Sequence, residues 1–121
     1  MSENTLDKII KKKIERVDLL KKTTSLKLLI EKIDGNKSFV NFKAKIQNNI
    51  KDNKISLIAE IKKASPSAGI IIKEYNPIEI AEIYYKNKTT CLSILTEEDF
   101  FLGNLIPVSY THLTLPTTAI V

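Results

Sequence analysis

The sequence is poor in the residues that most often carry redox and metal chemistry. Its 121 residues include one cysteine, Cys91, one histidine, His112, one methionine and no tryptophan. A single cysteine excludes an internal disulfide framework and fits a reducing compartment. No metal and no cofactor is expected. Arginine is equally scarce: Arg16 is the only one, although lysines bring the net charge to +5. Nucleic-acid surfaces draw on arginine and on aromatic stacking platforms. Here Lys11–Lys13, Lys21–Lys22 and Lys62–Lys63 are scattered among acids, the pattern of a solvated lysine-rich face, and no nucleic-acid partner is expected. No apolar run approaches the roughly 20 residues that span a bilayer, and the first residues carry no signal-peptide core. The expectation is a cytoplasmic protein with no membrane partner. What is present, 43% hydrophobic and 27% charged residues, is the make-up of a globular domain with a modest core.

Helical spacing comes first along the chain. Leu6, Ile9, Ile10, Ile14, Val17 and Leu20 recur at intervals of three and four, predicting a helix from Thr5 to about Lys22 with Asn4 or Thr5 as its cap. Leu26–Ile33 restarts a helix that Gly35 should stop. Asn36–Ser38 reads as a loop, and Phe39, Phe42, Ile46 and Ile50 predict a third short helix. A strand is expected at Ile55–Ile61, followed by a loop at Ser65–Gly69 and a short apolar stretch at Ile70–Ile72. Asn76–Pro77, with Glu79 three residues past the cap, starts a helix running to about Asn87. Cys91–Leu95 reads as a second buried strand, with Cys91 in the core, and Thr96–Gly103 as a loop in which Glu97 and Glu98 are solvated charges. Strand, loop, helix, strand at this length is a βαβ unit with a parallel pairing and a right-handed crossover.

The stretch Leu57–Gly69, L-I-A-E-I-K-K-A-S-P-S-A-G, holds the chemistry. Glu60 and Lys62 lie two apart at the end of an apolar strand, so an extended backbone points both to one face. Charged groups at the mouth of a buried strand are costly unless paired or used, and α/β enzymes keep their chemistry there. Two readings stand at this level: an ordinary strand-end ion pair of little energetic weight, or a functional pair.

The final stretch breaks the pattern. Pro107–Val121 contains no Asp, Glu, Lys or Arg, is rich in threonine and is bracketed by Pro107 and Pro116. It resembles a translated sequencing-adaptor string, so residues 107–121 are expected to be a non-native tail, and His112 within it receives no ligand or catalytic role.

Three blocks together carry a family resemblance: S-L-I-A-E-I-K-K-A-S-P-S-A-G at Ser56–Gly69, Y-N-P-I-E-I-A-E-I-Y at Tyr75–Tyr84, and C-L-S-I-L-T-E-E-D-F-F-L-G at Cys91–Gly103. In order and spacing they resemble the first strand, first helix and second strand of indole-3-glycerol phosphate synthases, and the leading helices resemble that family's N-terminal extension. The resemblance implies an α/β fold, the N-terminal portion of a (β/α)8 TIM barrel that typically needs ~250 residues. Residues 1–54 would be the helical extension and residues 55–106 an incomplete barrel holding the first β-α-β unit. It also implies a carbon–carbon lyase of tryptophan biosynthesis, a decarboxylating ring closure of 1-(2-carboxyphenylamino)-1-deoxyribulose 5-phosphate. By the same resemblance Glu60 and Lys62 are catalytic, Ser65 and Pro66 line the loop at the substrate's anthranilate end, Ser93 and Leu95 face the barrel mouth, and Phe101 packs on the substrate. The partner implied is a small phosphorylated substrate. The family's third-strand lysine, its later glutamate and asparagine and its phosphate loops would all lie beyond residue 106, so this chain taken literally is expected to be inactive.

Other readings compete. Another phosphate-binding TIM barrel, such as phosphoribosylanthranilate isomerase, would lack the leading helices and the E-I-K-K-A-S-P-S stretch, although a fusion of both activities is compatible with the residues. A non-catalytic basic helical binding fragment would need its lysines gathered on one helix face.

Overall fold

The computed structural model describes residues 4–34 and 40–109. The reading of His112, the expected stop at Gly35, the Asn36–Ser38 loop and Phe39 all fall outside the described residues. The chain divides into two compact units, Met1–Phe39 and Val40–Val121.

In the first unit, α1 spans Thr5–Thr23 and α2 spans Leu26–Asp34. Asn4 caps α1 as expected: its side-chain oxygen accepts the Asp7 N–H at 2.9 Å, satisfying one of the donors that a helix start leaves unpaired. Ser25 does the same for α2, accepting from Leu28 N–H at 3.2 Å. No residue of α1 is buried, and its apolar positions Leu6, Ile10, Ile14 and Leu20 stay exposed.

The second unit begins with α3, Phe42–Lys51, capped by Asn41 through the Ala44 N–H. Then come β1 (Ile58–Ile61), β2 (Ala64–Ser65), β3 (Gly69–Ile70), α4 (Pro77–Lys86) and β4 (Cys91–Ile94). β1 pairs with β4 in parallel, Ile58 opposite Cys91 and Glu60 opposite Ser93. The expected strand Ile55–Ile61 is shorter than its apolar run: Ile55 is 94% exposed, and pairing to the run-in of β4 starts only where Leu57 accepts from Thr90 and Cys91. The expected loop Ser65–Gly69 is the turn of a small hairpin. β2 and β3 pair antiparallel, and Lys63 O accepts from Ile71 and Ile72 N–H, so the backbone polar groups are satisfied locally.

One face of the β1–β4 pair carries the core. Ala59, Ile61, Leu92 and Ile94 close over Ala81 of α4, joined by Tyr75, Ile80, Tyr84 and Val108. Ala81 is wholly buried, and its small side chain lets the helix lie close to the sheet. Each fully buried isoleucine contributes about 2 kcal/mol. Asn76 caps α4 through the Glu79 N–H with Pro77 in the first turn, as its sequence predicts. Pro107 is fully buried and Val108 packs on this core, so the packed chain extends two residues past Ile106. The division at Phe39 likewise leaves α3 with the strands rather than with the leading helices.

Polar groups tie the N-terminal ends of the strands to α3. Thr90, buried, accepts from the Leu57 N–H at 3.0 Å and from the Asn49 amide at 3.3 Å, and the same amide donates to Ser56 Oγ at 3.1 Å. Cys91, also buried, follows at once. Loss of water around it pushes its thiol pKa up, the Lys45 ammonium opposing in part.

Both helix-to-strand joints in this unit are Schellman turns. After α3, Asn53 N–H bonds Ile50 O and Lys54 N–H bonds Asn49 O; after α4, Lys88 N–H bonds Tyr85 O and Thr89 N–H bonds Tyr84 O. The residue that must turn left-handed is Asn53 in one (φ 54°) and Lys88 in the other (φ 60°). Asparagine tolerates that region, whereas lysine is strained there by about 1 kcal/mol.

Two outcomes follow from these features. Lys88→Gly is expected to stabilise the fold by up to about 1 kcal/mol, read as a higher urea midpoint at unchanged slope, and Asn53→Gly by less. Cys91 is expected to react with a disulfide reagent at pH 8 at least about tenfold more slowly in the native chain than in urea. Because its folded pKa lies above the unfolded one, its contribution to stability is complete below the ordinary thiol range and is lost as pH climbs through that range towards the raised value.

Candidate active site

The parallel pairing sends the C-terminal ends of β1 and β4 to the same side, and strand alternation sorts their side chains between two faces. Ala59 and Ile61 go to the α4 core; Glu60 is left on the open face with its register partner Ser93, which is half-buried. Lys62, just past β1, reaches back to Glu60: its ammonium lies 2.6 Å from Glu60 Oε1, with 28% of the lysine side chain and 47% of the glutamate exposed. The expectation that the two share a face is met, and the ion pair that simple spacing allows is formed. At this exposure such a pair is worth about 0–1 kcal/mol, so either group can turn to a ligand at little cost.

Ser65 and Pro66 begin the hairpin turn that follows. Ser65 Oγ accepts the Ala68 N–H at 3.1 Å and lies 3.4 Å from Ser67 Oγ, while Pro66 is exposed. Leu95 continues past β4, half-buried, its N–H donating to Ile61 O at 3.1 Å. Phe101, half-buried, belongs to the loop after β4. The structure therefore brings Glu60, Lys62 and Ser93 together, and sets Ser65, Pro66, Leu95 and Phe101 in the segments that leave the same end of the strand pair.

One reading of this loop is corrected. Glu97 is not a solvated charge: its carboxylate accepts the N–H groups of Asp99 (3.0 Å), Phe100 (2.7 Å) and Phe101 (3.2 Å). An acidic run E-E-D reads as solvent-facing, but an acceptor two to four residues ahead of unpaired N–H groups is a capping signal. That signal was available in T-E-E-D-F-F.

At the opposite end of the strands lies a cleft of about 420 Å³, lined by Lys45, Asn49, Lys86, Lys88 and Thr90 among others. It is remote from Glu60 and Lys62 by topology, since Thr90 precedes β4 and Glu60 stands near the end of β1. Among the described residues no helix is long and apolar enough to cross a membrane.

With this arrangement in view, comparison with known proteins is specific. The family model for indole-3-glycerol phosphate synthase matches residues 6–114. An indole-3-glycerol phosphate synthase of Alkaliphilus metalliredigens is 44% identical over 99 residues, covering 82% of this chain and 37% of the relative. That of Microcystis aeruginosa is 37% identical over 118 residues, covering 98% of the chain and 38% of the relative. The tryptophan biosynthesis protein TrpCF of Buchnera aphidicola is 45% identical over 105 residues, covering 87% of the chain but 22% of that protein. The chain thus spans about two fifths of the length of the synthases it matches. An α/β chain whose parallel strands, capped helix and strand-end charge pair all lie within a match over nearly its whole length belongs to the indole-3-glycerol phosphate synthase family.

Proposed function

We propose that this chain supplies the leading helices and the first two strands of a (β/α)8 barrel that closes the indole ring of indole-3-glycerol phosphate, with β1 and β4 as those two barrel strands and the cytoplasm as its compartment. The substrate is 1-(2-carboxyphenylamino)-1-deoxyribulose 5-phosphate, and the products are indole-3-glycerol phosphate, carbon dioxide and water. The observation that carries this reading is the Glu60–Lys62 pair on the open face at the C-terminal end of a parallel strand pair, where barrel enzymes keep their reacting groups.

The chemistry needs a proton donor as the ring closes, a base for dehydration, and cations for a carboxylate and a phosphate. Lys62 meets the need for a cation: its ammonium is partly withdrawn from water, held in place by Glu60, and free to rotate to an incoming anion because the existing pair is weak. Glu60 is the proton-handling group, within reach of the lysine and beside Ser93. Ser65 and Pro66 line the turn at the anthranilate end, Ser93 and Leu95 face the mouth, and Phe101 stacks on the substrate. A weakly paired lysine that changes partner when the substrate arrives stabilises developing charge without a large reorganisation.

The test is a graft of residues 4–109 in place of the matching portion of the Alkaliphilus synthase, assayed for indole-3-glycerol phosphate. The graft is expected to be active. Lys62→Ala should lower kcat/KM roughly 10²–10³-fold and Glu60→Gln roughly 10²–10⁴-fold, with Ser93→Ala below about tenfold. A graft that folds but forms no product, or a fully active Lys62→Ala variant, overturns the reading.

A further inference from the structure

The loop after β4 is closed by one side chain. Glu97 Oε1 takes the Asp99 N–H and Oε2 takes those of Phe100 and Phe101, so three successive backbone donors converge on one carboxylate. The same residue closes the loop from the main chain, its carbonyl accepting the Gly103 N–H at 2.8 Å. Gly103 in turn lies so close to the strand end that a methyl group on its Cα would run into the Leu95 carbonyl oxygen. Between them Leu102 is held in the left-handed region at φ 52°. Residues 95–103 thus form a ring with the Glu97 carboxylate inside it, and Phe101 is part of that ring.

We propose that Glu97 is a positioning residue for substrate binding: by holding the N–H groups of residues 99–101 it fixes where Phe101 stands at the end of β4, and so sets the grip on the aromatic end of the substrate. This rests on the role given above to Phe101. A carboxylate suits the task because its two oxygens offer about four acceptor sites and no donor, and charged acceptors bind N–H groups roughly twice as strongly as neutral ones. Glutamine presents one oxygen and an amide that opposes one of the N–H groups, and alanine presents nothing. Aspartate is shorter, yet accepting N–H groups two and three residues on is its habitual role in caps and turns, so it retains most of the ring.

Amide hydrogen exchange on the whole chain reads the positioning directly. In Glu97→Ala, amides 99–101 should exchange roughly ten- to a hundredfold faster than in the unchanged chain, in Glu97→Gln clearly faster at the amide that its NH2 opposes, and in Glu97→Asp close to the original rate. Amides of β1 and α4 should stay unchanged in all of them and serve as the check on folding. In the grafted barrel, Glu97→Ala should raise KM roughly tenfold with a smaller fall in kcat. Phe101→Ala should raise KM too, and the double variant should add little to Phe101→Ala alone. Unchanged exchange at 99–101 in both Glu97→Ala and Glu97→Gln overturns the proposal. So does a double variant whose losses simply multiply, since Glu97 would then act elsewhere than through Phe101. An unchanged KM in Phe101→Ala overturns the part in substrate grip even where exchange shows a loosened ring, whereas an inactive graft with the original residues tells against the synthase reading and is seen separately.

Discussion

The parallel pairing of β1 with β4 is the constraint on which the second unit depends. A parallel pair cannot form locally; it needs a crossover, and α4 provides it. Burial of Ala59, Ile61, Leu92 and Ile94 over Ala81 selects the register. A slip of β1 by one residue would send Ala59 and Ile61 to the open face and drive Glu60 into the helix packing, exchanging core for charge in one move. The polar groups of Thr90 and Asn49 secure the same register from the other end of the strands. The placement of Glu60 beside Ser93 and Lys62 is therefore a by-product of core packing, and the site inherits its rigidity from residues that take no part in it.

The division of labour between the two ends of the strand pair follows. At the N-terminal end, buried Thr90 and Cys91 and the turn after α3 make a hydrogen-bonded joint beside the cleft. At the C-terminal end the groups are half-exposed and joined by a weak ion pair, a hairpin turn and a loop closed around a carboxylate. The tightly hydrogen-bonded packing thus lies at one end of the strand pair and the weakly paired charges at the other.

How much of this was legible in the residues varied with the range of the interaction involved. The helices and two of their caps were, because periodicity and a cap residue act within four positions: Asn4, one of two candidates, and Asn76 cap their helices, whereas the caps Ser25 and Asn41 were not singled out. The Glu60–Lys62 pair was legible for the same reason, being a matter of two-residue alternation. The true start of β1 was not. Ile55 and Leu57 look like strand by composition, but a strand ends where its partner's hydrogen bonds end, and that partner lies more than thirty residues away at Thr90 and Cys91. The hairpin of β2 and β3 was hidden behind Ser-Pro-Ser-Ala-Gly, which spells turn without saying that its flanks pair. Glu97 was misjudged because an acidic run suggests water, although its place two to four residues ahead of unpaired N–H groups is also a capping signal.

The two Schellman joints have a consequence for how such a chain can be built. Asn53 and Lys88 occupy the same place in the same turn, thirty-five residues apart by their numbers, each delivering a helix into a strand of the pair. Residues 54–88 accordingly begin and end at matching joints. Joined head to tail, copies of that segment would meet at a turn the chain already makes, with no new linker to invent. A chain of this kind can lengthen by duplication when its seams are interchangeable, and here each seam is written into two backbone hydrogen bonds rather than into any particular side chain.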